Sequence, residues 1–264
     1  MKNESAGLPA EPGQHKWLTA ASIGLVACIS ADMVHEAAGH GIASWLAGDR
    51  ILSLSTVALQ NETPNRFVSA AGTSANCVVG WLALLLFRRA RGGTPLACFL
   101  WLFGMFNLFN AGYLVVSALL NSGDWANVVA GLSPFWFWRC LLAFAGAAVY
   151  FVSLRWAANL LARLMGPRDA RRLILPAYIA GGAVMTLASV FNPISSDLIM
   201  MSGVGASFGL NFGLFFVPAM VGCRAGEGAS KSGALSFSFF WLALALALSA
   251  VFVAVLGPGI RFHQ

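Results

Sequence analysis

Charge is scarce in this chain: Asp, Glu, Lys and Arg make up 10% of its 264 residues, while 58% are hydrophobic. Soluble globular domains carry about a quarter charged residues, so an ordinary water-facing surface is excluded. Cysteine is sparse too. Cys28, Cys77, Cys98, Cys140 and Cys223 stand singly, with no C-x-x-C pair, which argues for small apolar side chains in the interior and against a disulfide framework or thiolate ligands. The stretch from Met1 to Lys16 is polar and lacks the apolar core of a signal peptide, so the first apolar span is expected to stay in the mature protein. The net charge of +6 comes without a basic helix face or an aromatic-interleaved patch, so no nucleic-acid partner is expected.

What the chain does have is long apolar runs, each near the roughly 20 residues that cross a bilayer. They read as Trp17 to Leu46, Phe67 to Phe87, Pro95 to Leu120, Pro134 to Trp156, Leu173 to Phe191, Leu198 to Val221 and Leu235 to Leu256. The expected fold is an all-α polytopic membrane protein of about six to seven transmembrane helices. The sixth is the least regular, because Gly203, Gly205, Gly209 and Gly213 fall in it. Arg88, Arg89 and Arg91 follow the second run, Arg155, Arg163, Arg168, Arg171 and Arg172 the fourth, and Arg224 and Lys231 the sixth. The positive-inside rule puts these loops and the N-terminus in the cytoplasm, as in a bacterial-type inner membrane. From Arg155 to Arg172, leucines and arginines alternate at helical spacing, which predicts an amphipathic surface segment. Between Asp49 and Arg66, apolar residues interleave with Ser53, Ser55 and Thr56, which predicts a short strand or hairpin after the first span.

The chemistry lies in the first run, where Asp32, His35, Glu36 and His40 fall within nine residues. An ionisable side chain in the hydrocarbon region costs at least ~2.5 kcal/mol, so each is a functional candidate. Imidazole and carboxylate are ligand types that zinc accepts. In the helical motif H-E-x-x-H the histidines stand four apart, with the glutamate as general base. Here they are five apart, which on a regular α-helix turns them roughly 140° from one another. A π-bulge, closing after about five residues, returns both to one face, and Gly39 and Gly41 make such irregularity cheap. Three readings stand side by side: both histidines as ligands with Glu36 as base, Glu36 and His40 as ligands at i and i+4, or a hydrogen-bonded polar network that packs helices.

The run His35-Glu36-Ala37-Ala38-Gly39-His40-Gly41-Ile42-Ala43, with Gly48, Arg50 and Ile51 to Leu54 behind it, resembles the H-E-x-G-H-A segment of site-2-protease-type intramembrane zinc metalloproteases and the glycine, basic residue and strand that follow it. Ala71-Gly72-Thr73-Ser74-Ala75-Asn76 is similar to that family's A-G-P-x-x-N, with Thr73 in place of proline, and Phe106-Asn107-Leu108-Phe109 to its N-L-L-P stretch. Two departures stand out: the extra residue between the histidines, and Asn110-Ala111-Gly112-Tyr113 where the family has L-D-G.

The resemblance spans about Asp32 to Trp125. It implies a three-helix core over residues 17–132, preceded by the polar tail 1–16 and followed by additional helices over 133–264. It implies Zn2+ held by His35, His40 and Asp124, the first acidic residue after Asn110, with Glu36 as catalytic base. Asp32 would orient a ligating imidazole, and Asn76 and Asn107 would hold the substrate backbone. The segment Ile51 to Leu59 would pair with an unwound membrane-protein or peptide substrate. Two other functions stay open: a transporter or channel with a buried His and Glu site, suggested by the glycine-rich sixth run and the Asn192-Pro193 break, and an inactive relative that binds client membrane proteins without cutting them.

Overall fold

The apolar runs fold into seven helices long and apolar enough to cross a membrane: Lys16–Leu46, Arg66–Arg89, Pro95–Leu120, Phe135–Leu161, Pro167–Val190, Ile199–Gly222 and Phe239–Leu256. These are the first to seventh spans. The computed structural model describes residues 16–63, 65–90, 93–192, 195–223 and 235–262. The tail before Lys16, and Arg91, Pro193, Arg224 and Lys231, lie outside the described residues. The fold is that of an integral multi-pass membrane protein, in which large apolar side chains such as Leu82, Leu86, Phe144, Phe151, Phe239 and Leu246 stand exposed on the outside of the bundle. Only hydrocarbon makes such a surface favourable, and helices satisfy their own backbone groups there.

Local signals start the spans where expected. The Asn65 side chain accepts from the backbone N–H of Phe67, and the Thr94 side chain accepts from Ala97 with Pro95 opening the helix, satisfying N–H groups that have no partner within the helix. The first span sits at the centre, packed against the third, fifth and seventh. A Cβ at Gly24 would lie 2.3 Å from the Ala177 Cα, so glycine is what lets the first and fifth spans approach. The third span is tied to the fourth by the indole N–H of Trp101, which donates to the Ala157 carbonyl at 3.0 Å.

The expected hairpin forms from β1 (Ile51–Leu54) and β2 (Leu59–Asn61), and β3 (Ile260–Arg261) joins it on the other side, giving the order β2-β1-β3. The strand after the seventh span thus pairs with the strand after the first. Both ends lie on one side, as single crossings by seven spans require.

Two details differ from the sequence reading. Residues 155–172 make no separate surface segment: the fourth span continues to Leu161, a turn follows, and the fifth begins at Pro167. Leu160 and Leu161 are buried core residues of the bundle, which is why they alternate with arginines at the rim. The cysteines, all free, are only partly interior, since Cys140 and Cys223 are exposed. The glycine-rich sixth span is irregular, running as a π-helix over Ile199–Gly209 and a tight 3-10 helix over Leu210–Phe216 before its last α turn.

Candidate metal centre

Within the first span the backbone leaves α geometry from Val34 to Gly41 and runs as a π-helix. Its wider turn brings residues five apart onto one face. The Nε2 atoms of His35 and His40 lie 3.2 Å from each other, both rings buried. Gly39, inside the turn, touches the second span: a Cβ there would stand 2.6 Å from the Gly72 Cα. The two glycines press the first and second spans together at the level of the histidines.

Each imidazole is held from behind. His35 Nδ1 donates to Asn76 Oδ1 at 2.7 Å, and His40 Nδ1 donates to the Val68 carbonyl at 2.8 Å. The Asn76 amide is oriented by its own bonds, Nδ2 donating to the Ala31 carbonyl at 2.9 Å and to Asn107 Oδ1 at 2.8 Å. Asn107 Nδ2 donates in turn to the Phe103 carbonyl at 2.8 Å. Both Nδ1 atoms therefore carry their hydrogens, and both Nε2 atoms turn bare lone pairs toward the same point.

Asp124 closes that point from the third side. The third span ends in a left-handed Asn121 (φ 51°), and Gly123 has φ 81°. Glycine adopts this turn without strain, and it carries the chain back so that Asp124 opens a short helix, Asp124–Val129. Its Oδ2 lies 3.4 Å from His35 Nε2 and 3.3 Å from His40 Nε2.

Three lone-pair atoms this close repel unless positive charge sits among them. Tetrahedral zinc, with ligands at about 2.0–2.1 Å, sets its ligand atoms about 3.3–3.4 Å apart, and the triangle here has edges of 3.2, 3.4 and 3.3 Å. A Cβ at Gly72 would fall 2.5 Å from His40 Nε2 and 2.7 Å from His35 Nε2, so the space beside the two nitrogens is kept open by a missing side chain. The residues fit zinc.

Glu36 is buried beside the histidines, and the three residues together offer ligand atoms within 4.8 Å of one another. Its Oε2 accepts the backbone N–H of Leu59, in β2, at 2.7 Å. A cleft of about 380 Å³ opens onto His35, Glu36, His40 and Asp124 and runs along Leu59 and Asn61 of the hairpin.

Other candidates fall elsewhere. Asn76 and Asn107 are fully buried with their amides engaged behind His35, so neither reaches a substrate backbone. Asp32 orients no imidazole, because both Nδ1 partners are other groups; its Oδ2 is buried without a partner. Asp197 is exposed. The sequence reading missed Gly72 as a wall of the site, although it lies in the quoted Ala71-Gly72-Thr73 stretch. It also missed Val68, whose backbone carbonyl leaves no sequence signal.

Against protein-family models, curated proteins and solved structures, the chain finds no match.

Proposed function

We propose that this chain is a zinc metallopeptidase of site-2-protease type that cuts peptide bonds of membrane-protein substrates. The observation that carries the reading is the triangle of His35 Nε2, His40 Nε2 and Asp124 Oδ2, with Glu36 beside it at the end of a cleft. His35, His40 and Asp124 would hold zinc. When bound, zinc makes a water acidic enough to ionise near neutral pH and polarises a carbonyl.

The rest is work for the chain itself. Asn76, braced by Asn107, and the Val68 carbonyl fix the tautomers and ring planes of the two histidines, as the groups behind metal-binding imidazoles generally do. Leu59 N–H anchors one oxygen of the Glu36 carboxylate, leaving Oε1 to take a proton from the attacking water and pass it to the leaving amine. β2 is an edge strand beside the cleft, where an unwound substrate segment would lie extended. Arg88, Arg89, Arg163, Arg168, Arg171 and Arg172 cluster at the loops after the second and fourth spans, which supports a cytoplasmic N-terminus in an inner membrane and a site nearer the opposite face.

The test is zinc quantification on purified protein, wild type beside His40→Ala, followed by cleavage of a membrane-embedded reporter with and without chelator. Wild-type protein that binds no zinc after reconstitution would overturn the reading. Stoichiometric zinc without cleavage of any reporter would leave the client-binding relative as the better account.

A further inference from the structure

Behind the metal centre the first, third, fifth and sixth spans enclose a second, smaller cavity of about 50 Å³, roofed by the hairpin loop. Asp32, Thr56, Asn110, Ser202, Ser207 and Asn211 line it. Four of its oxygens are buried without any partner: Asp32 Oδ2, Thr56 Oγ1, Asn110 Oδ1 and Asn211 Oδ1. Thr56 is only 1% exposed and Asn211 only 6%, so bulk solvent does not serve them. A buried acceptor left unpaired costs about 1–3 kcal/mol, and four in one place call for a common ligand.

The orientation of these groups says what kind. Asn211 Nδ2 donates to the Ser207 carbonyl at 2.9 Å, which turns Oδ1 toward the cavity. The Ser207 hydroxyl spends its hydrogen on the Gly203 carbonyl at 2.6 Å and offers only lone pairs. Among the described residues no lysine or arginine lines the space, Tyr113 stands on its wall with Ser202, the His35 ring is committed to Asn76 and the metal centre, and Glu36 is anchored by Leu59. A carboxylate, amide carbonyls and hydroxyls are hard oxygen donors, the set that suits a hard cation and not zinc. Asp32 is the carboxylate on this wall whose Oδ2 has no partner, and a single positive charge balances it.

We infer that this cavity is a second cation site, for a sodium-class monovalent ion, built from Asp32, Thr56, Asn110 and Asn211. It neutralises Asp32 at membrane depth and joins the irregular sixth span to the motif helix. The site shares no ligand atom with the His35, His40 and Asp124 cluster, so it stands whether or not the chain cuts peptides.

The experiment measures thermal unfolding of zinc-loaded protein in sodium chloride, potassium chloride and choline chloride at matched ionic strength. The expected result is a sodium-specific rise in Tm of a few degrees in wild type, as a ligand of the folded state produces. The rise is expected to vanish in Asp32→Asn and Asn211→Ala with zinc content unchanged. Thr56→Val serves if either of these fails to fold, and 23Na relaxation on the wild type reads binding without any variant. Equal Tm in sodium and choline, with no 23Na effect, overturns the inference, as does a sodium-specific rise that survives in every folded variant. Loss of zinc cleavage with an intact sodium response leaves it standing and counts only against the peptidase reading.

Discussion

His35 and His40 are five residues apart in the chain, yet their Nε2 atoms stand 3.2 Å from each other. A π turn over Val34–Gly41 makes this contact, and Asp124 Oδ2 completes a triangle of 3.2–3.4 Å edges that matches tetrahedral zinc. The consequences are testable at single residues.

Replacing any corner of the triangle should release the metal. His35→Ala and His40→Ala are expected to lose zinc outright, and Asp124→Ala to bind it more weakly, while Asp197→Ala, altered at an exposed position, keeps it. Metal analysis at matched folding decides. Full zinc in Asp124→Ala would remove that residue from the ligand set.

Glu36→Gln is expected to keep zinc and lose cleavage by about 10²- to 10⁴-fold, the usual contribution of a general base. The amide still accepts from Leu59 N–H but takes no proton. Were Glu36 and His40 the ligands instead, this variant would arrive from purification without metal.

Gly72→Ala puts a methyl 2.5 Å from His40 Nε2 and 2.7 Å from His35 Nε2. The second span is pressed against Gly39 and has no room to withdraw, so the variant should fold with little or no bound zinc. Gly41→Ala is the control: its Cβ would meet Leu59 Cδ1 at an ordinary 3.5 Å, and zinc binding should be unchanged. Equal zinc in the two variants contradicts the packing described here.

Asn76→Ala frees His35 Nδ1 and should weaken zinc binding about 10- to 100-fold, the usual penalty for losing a group that orients a ligand. Asn107→Ala, one step further back, should do less. A competition titration with a zinc chelator measures both. If instead KM for the reporter rises at unchanged zinc affinity, the amide binds substrate and the relay is not its role.

The sequence by itself determined the spans, because apolar length against the thickness of a bilayer leaves little choice, and the ends came within a few residues of Arg66–Arg89 and Pro95–Leu120. It also marked His35, Glu36 and His40, since ionisable groups inside an apolar run are costly enough to be functional candidates, and two histidines five apart share a face only on a π turn. Asp124 came from the family resemblance. Tertiary structure alone decided the rest: that Asn76 braces His35 and does not face the cleft, that the Val68 carbonyl holds His40, that Gly72 leaves the room beside both nitrogens, and that β3 returns to β1 from the far end of the chain. Asp32 made the point most sharply, expected behind a histidine and found beside a separate cavity with Asn211 of the sixth span. A pattern along one helix fixes which residues share its face, but which partner meets them depends on the rotation and depth of neighbouring spans, set by close contacts between residues dozens of positions apart.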